Sequence, residues 1–361
     1  SGDVCIDVEV GSLEVDEDIT AGDDVALEAQ VSVTLGDDGT NNGEGTTTGS
    51  VTAGTDGGET GVIGVRAVTG SVTDGNAGDD NLITDQGGGV SITAANGIGD
   101  VAGGNDIETD TTNFAASTTN GDVNVVETDS VTQDGLSVAL VQDELKGIDN
   151  TGVSAGATVC VYVEDGDLNI NEDVTAGGDV ALRTQGALNS GNGDIIFGND
   201  NTAVGADADI VTGGNDRTVS VEAAGDIVDN NGADNSAIVV GGNNGMVVMT
   251  ADDIAAVNNT SAFEIEAATL SADAVAGNVL VDDQSGDLRI IEKDTLKGGN
   301  TVTGVSASGD VCIDVEDGSL DIAQKVESTD ANVVLQAAGN VTLSGDDDVL
   351  ADSNGGAGTV S

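Results

Sequence analysis

Residues 156–185 read GATVCVYVEDGDLNINEDVTAGGDVALRTQ, and this stretch occurs nearly three times in the chain. The first copy is SGDVCIDVEVGSLEVDEDITAGDDVALEAQ at residues 1–30, and the last begins at Ser308 with SGDVCIDVEDGSLDIAQKVESTDANVVLQAAG. Cys5, Cys160 and Cys312 occupy one repeat position, 155 and then 152 residues apart. The match extends between these blocks: LKG at 145–147 returns at 296–298, and GDVNV at 121–125 returns as GNVLV at 277–281. The chain therefore divides into a first repeat at 1–155, a second at 156–307 and the start of a third at 308–361. Tandem repeats of this kind indicate one stacked body rather than unrelated domains.

Within each block the residues alternate. Val4, Ile6 and Val8 share one side of a strand while Cys5, Asp7 and Glu9 share the other. The same phase holds for Val159, Val161 and Val163, and for Val311, Ile313 and Val315. Further short strands are expected at 12–15, 25–29, 90–94, 123–126, 180–182, 219–223, 247–250, 279–281, 288–291 and 341–343, each bounded by Gly, Asp or Asn. Helical spacing is absent. Strand starts recur about 21 residues apart, from Val4 to Val25 and from Val159 to Val180, which is too long for a hairpin return and suits one coil of a parallel β-helix. The expected fold is all-β, a right-handed parallel β-helix of about 16 coils, on the order of 75 Å long at the parallel strand spacing. Two Gly-, Asn- and Asp-rich stretches, 36–61 and 191–215, read as wide turns or loops.

Composition supports stacked layers. There are 55 glycines, no proline, and four aromatic residues, Phe114, Tyr162, Phe197 and Phe263. A core so poor in rings has to be filled by Val, Ile, Leu and Ala at regular positions, and proline would remove a ladder donor from any layer it entered. The net charge is −58, from 66 acidic and 8 basic residues. Scattered Lys and Arg exclude nucleic acid as a partner, and an anionic membrane surface with it. No apolar run reaches the roughly 18 residues of a spanning helix. Self-repulsion at this charge is eased by screening, so a saline, extracellular setting is expected.

The cadence GDVCIDVEDGSLDI, VTAGGDVAL and GNVTLSG resembles the repeat regions of filamentous-haemagglutinin-like exoproteins, the secreted adhesins with parallel β-helix shafts. The resemblance covers essentially the whole chain and implies an extracellular shaft or fibre at a cell surface.

Candidate sites follow from residue chemistry. The alternation points Cys5, Cys160 and Cys312 outward and too far apart for a bridge within one chain. They are candidates for disulfides between molecules, against the alternative that each sits under a loop as a small apolar residue. Calcium is a candidate cofactor, since acidic turns offer oxygen ligands at Asp165, Asp167 and Asn169, at Asp346, Asp347 and Asp348, and at Asp23 and Asp24. None has the spacing of a complete calcium loop: Ile170 and Ala176 stand where an EF-hand needs Gly and Glu. N-x-S/T acceptors make Asn258, Asn259 and Asn340 candidate glycosylation sites. No histidine and few rings leave poor material for catalysis, and no enzymatic activity is expected. The expected function is a structural subunit of a surface filament whose partners are copies of itself. The alternatives are a monomeric adhesin shaft and a calcium-dependent surface-layer protein that binds glycans.

Overall fold

The computed structural model describes residues 2–36, 49–55, 60–75, 81–84, 87–100, 106–128, 131–133, 136–138, 148–150, 152–185, 193–198, 209–230, 237–256, 262–345, 348–352 and 358–361. Among them there are strands and turns and no helix. The strands stack in parallel, rung on rung, as the alternation requires of a parallel β-solenoid. The chain forms two compact units, residues 1–166 with 171–176 and residues 167–170 with 177–361, whose boundary does not follow the three sequence repeats.

In the first unit Val4–Val8 lies beside Val25–Ala29, with Val4 opposite Val25. Val62–Ala67, Gly89–Ala94 and Asn113–Thr118 follow in register. Val25, Ile63, Val90 and Phe114 thus form one buried column, and Leu27, Val65, Ile92 and Ala116 a second. Like side chains stack on like because each apolar position repeats once per coil. The coil length, however, is not constant at 21 residues. It is 21 from Val4 to Val25 but 38 from Val25 to Ile63.

Coil corners are organised by the GD dipeptide. The residue before a strand uses its side-chain oxygen to accept the backbone N–H of the equivalent residue one coil on: Asp24 from Val62 at 2.8 Å and Asp122 from Thr158 at 2.7 Å in the first unit. In the second unit these links form a continuous row. Asp167 accepts from Asp194 (2.9 Å), Asp194 from Asp226 (2.8 Å), Asp226 from Asp253, Asp253 from Asn278 (2.6 Å), Asn278 from Asp310 (2.8 Å), Asp310 from Asn332 (2.9 Å) and Asn332 from Thr359 (3.1 Å). Each link satisfies a strand-end amide that the ladder leaves over. The preceding glycine is needed for space: a Cβ on Gly121 would fall on the Asn96 carbonyl, and one on Gly309 on the Asn278 carboxamide.

The face that carries the long strand changes once in each unit. In the first, Val123–Glu127 pairs with two short strands at once, Gly97–Ile98 through Val123 and Ile107–Asp110 through Val125, and then receives Val159–Val163. Across from it, the long Asn113–Thr118 hands on to two short strands, Val131–Gln133 and Val153–Ala155. In the second unit Val180–Thr184, Thr218–Glu222, Met246–Ala251 and Thr269–Ala274 are the long series. Val279–Asp283 then joins the short strands Ile254–Ala256 and Phe263–Glu266 and begins a new long series with Val311–Val315 and Val333–Ala337. The two crossings fall on the recurring GDVNV and GNVLV, so one sequence repeat is not a whole number of coils. Consequently Val4–Val8 and Val159–Val163, homologous strands of one unit, belong to different sheets.

Each repeat also carries an antiparallel hairpin, Leu136–Val138 with Ile148–Asn150 and Glu292–Asp294 with Thr301–Thr303. The first reaches Ser91 through Asn150 Nδ2 (2.9 Å); beyond the strands of the second, the Leu296 and Gly298 amides bind Ser220 (3.1 Å) and Glu222 (3.0 Å). These hairpins cover outward residues that would otherwise be wet. The expected loop 36–61 holds a strand at Val51–Ala53, and 191–215 holds strands at Ile195–Phe197 and Ile210–Thr212. Three-residue strands are too short for alternation to announce them against a Gly- and Asn-rich background.

Candidate functional site

The strand edge at the first rung is the site with the most direct chemistry. Val4–Val8 and Val311–Val315 share the sequence VCIDV. The second of these is sandwiched: Val311 N–H donates to Asn332 of the rung that follows (2.9 Å), and Glu316 N–H to Asp283 of the rung that precedes (2.9 Å). In the first strand, Val4 N–H donates to Asp24 (2.9 Å) and the Val8 carbonyl accepts from Gln30 (3.0 Å), so this side serves the following rung. By the same alternation the amides of Cys5 and Asp7 point along the other edge. Val4, Ile6 and Val8 are half-buried there, whereas Val311, Ile313 and Val315 are completely buried. At the far end of the second unit Val341 is 43% exposed and Leu343 57%, although both stand in register on the buried Leu320 and Ile322.

The cysteines do not form an equivalent set. Cys5 is exposed, Cys312 is half-buried, and Cys160 is only 4% exposed, so three positions of one outward phase have three different environments. Cys160 stacks on Asn124, which is itself buried and whose Nδ2 donates to the Asp100 carbonyl (3.1 Å) and to the Asp106 carboxylate. Burial, with Asp3 and Asp7, pushes the Cys5 thiol up. Burial, with Asp314, Asp282 and Asp310, does the same for Cys312.

Asp167 is committed to the corner row, accepting from the Gly193 and Asp194 amides at 3.1 and 2.9 Å, and Asn169 sits in the strand Leu168–Ile170. Asp165 is half-buried and Asp348 exposed, while Asp346, Asp347, Asn258 and Asn259 lie outside the described residues. Asn340 is exposed just before Val341–Leu343, its amide bound to Ser319 Oγ at 3.3 Å. Among the described residues, three carboxylates whose oxygens lie within 4.8 Å of one another occur at Asp3, Asp23 and Asp24.

Sequence reasoning missed a second kind of acidic position, carboxyls buried at equivalent places in the two repeats. Asp74, Glu108 and Glu127 in the first repeat correspond to Asp229, Glu264 and Asp283 in the second, and all six are buried. Burial first, then the Asp229 hydrogen bond and charge and the Asp282 charge, pushes Glu264 up to about 8. Burial, then Glu316 and Asp314, pushes Asp282 up to about 6. An acidic residue at a position that alternation assigns to the core, as at Glu127 and Asp283, is the signal that could have found them.

No protein-family model, curated protein or solved structure matches this chain.

Proposed function

We propose that this chain is a non-enzymatic structural segment of an extracellular filament, in which the rungs of one copy of the repeat stack on those of another. The observation that carries this reading is the outer edge of Val4–Val8, a strand that among the described residues pairs on one side, with Val25–Ala29. It has the sequence, the inward apolar pattern and the outward-pointing amides of Val311–Val315, a strand that accepts a preceding rung within this same chain. An unpaired parallel edge of this kind is a template for another strand, with backbone bonds for affinity and alternate side chains for register. The exposed Val341 and Leu343 offer matching apolar surface at the far end of the second unit. The net charge of −58 suits salt, where repulsion between copies is screened. The resemblance to exoprotein shafts points the same way.

The test is negative-stain microscopy and sedimentation of the purified chain in about 0.5 M salt, where the Debye length is only a few ångströms, beside Asp7→Pro. Asp7 is exposed, and proline there removes an edge donor while leaving the Val4 and Val8 bonds to the next rung intact. Filaments from the native chain and folded, unassembled protein from the variant are expected. A native chain that stays unassembled at high concentration, or a variant that assembles equally well, would overturn the reading.

A further inference from the structure

The crossings of the two units differ at one buried carboxyl. Glu127 and Asp283 both end the strand that joins two short strands, at a position directed inward, and both hold the amide at the corner of the preceding coil. Glu127 accepts from Thr111 N–H at 3.0 Å, and Asp283 Oδ1 from Ala267 N–H at 3.2 Å. Glu127 also receives the hydroxyl of Thr109, its partner in the ladder. At Asp283 the corresponding partner is Ile265, and on the next rung it meets Val315, so neither ladder neighbour donates. Asp283 is 0% exposed and, among the described residues, its Oδ2 has no hydrogen-bond partner.

The charges that act on it most strongly are both negative. Asp282 and Glu266 act on it directly. Glu264 and Glu266 flank Ile265 on the preceding rung, Asp314 and Glu316 flank Val315 on the following one, and Asp287 lies just beyond the Ser285 amide that also binds it. The corner it holds borders a cavity of about 420 Å³ lined by, among others, Gly242, Asn243, Glu266, Ala267 and Ser285. Water therefore has a route to the corner once it loosens.

We propose that Asp283 is a proton-operated latch: protonated, it closes the crossing of the second unit, and ionised, it places an uncompensated charge between Ile265 and Val315 and loosens the Ala267–Ser285 corner. Burial raises the carboxyl to about 7, outweighing the two backbone hydrogen bonds that lower it, with Asp282 and Glu266 adding to the rise. Because the folded value lies above the unfolded one, the stabilising contribution is complete below the ordinary Asp range and disappears as pH rises through about 7. At the first crossing Glu127 has the second donor that Asp283 lacks, the Thr109 hydroxyl.

The test is carboxyl NMR of the full chain with labelled aspartate, the Asp283 signal being assigned by its loss in Asp283→Asn, together with exchange of the Ala267 amide. A midpoint near 7 is expected, with Ala267 protection falling over the same range beyond the intrinsic pH effect. Ile265→Thr, which copies the first repeat, should lower the midpoint by about one pH unit or more by supplying the missing donor. Asp283→Asn should remove the step in Ala267 protection. A midpoint near the ordinary value of about 4, or an Ala267 profile that is the same in native protein and Asp283→Asn, would overturn the proposal.

Discussion

Phe197 and Phe263 give the sharpest test of how the second unit is filled. They occupy strands Ile195–Phe197 and Phe263–Glu266, are completely buried, and meet edge to face with ring centroids 5.2 Å apart and planes at 82°. In a core otherwise built from small aliphatic residues, neighbouring rungs are tied by backbone bonds and cannot collapse into the space a ring would leave. Phe197→Ala should therefore cost about 3–5 kcal/mol, of which the ring-on-ring contact supplies about 0.5–1.5 kcal/mol. For a unit of this size the loss corresponds to a fall in Tm of about 6–20 °C. A cycle of Phe197→Leu, Phe263→Leu and the double variant, followed by urea unfolding, isolates the contact as a coupling of about 1 kcal/mol. A cost below about 1 kcal/mol for Phe197→Ala, within the range of a surface change, would refute the inward placement of the ring. A coupling of zero would refute the contact alone.

Three further outcomes are expected. Asn278→Ala removes the acceptor of the Asp310 amide in the corner row and should cost about 1 kcal/mol in urea unfolding, whereas Asn278→Ser, which keeps an oxygen, should cost less. Maleimide should label Cys5 first, Cys312 more slowly and Cys160 only with unfolding; equal rates for all three in the native chain would contradict the burial of Cys160. Glu264, held at about 8, contributes stability that is complete below the ordinary Glu range and lost as pH rises through about 8; Glu264→Gln should flatten the fall in Tm between pH 5 and pH 9, as measured by scanning calorimetry.

Much of this architecture was legible in the repeats. Alternation in VCIDV gave the inward Val and Ile, and the recurrence of GDV gave the parallel stacking, because a corner glycine and a capping Asp are each required once per coil. The 21-residue spacing held for Val4 to Val25 but did not extend to Val25 to Ile63, 38 residues on, although the register of the strands is kept. The exchange of the long strand between faces was hidden, because the residues that perform it, GDVNV and GNVLV, look like any other rung. For the cysteines the sequence left two environments open, an exposed thiol and one packed under a loop. Alternation says which way a side chain points, and says nothing of how deeply it is covered: Cys160 is 4% exposed while Cys5 is exposed. The buried carboxyls broke the apolar pattern at Glu127 and Asp283, and among 66 acidic residues that break was easily lost.

Stacking in register from coil to coil can be read out with a pair of nitroxide labels. Asp314 and Gln336 are ladder partners 22 residues apart, joined by a 3.0 Å hydrogen bond. With the native cysteines replaced by serine, labels on Asp314→Cys and Gln336→Cys should lie about one strand spacing, ~4.8 Å, apart at the backbone. The expected electron paramagnetic resonance spectrum is strongly broadened by spin–spin interaction. A spectrum equal to the sum of the two singly labelled proteins, from a chain that keeps its β circular dichroism, would contradict the account.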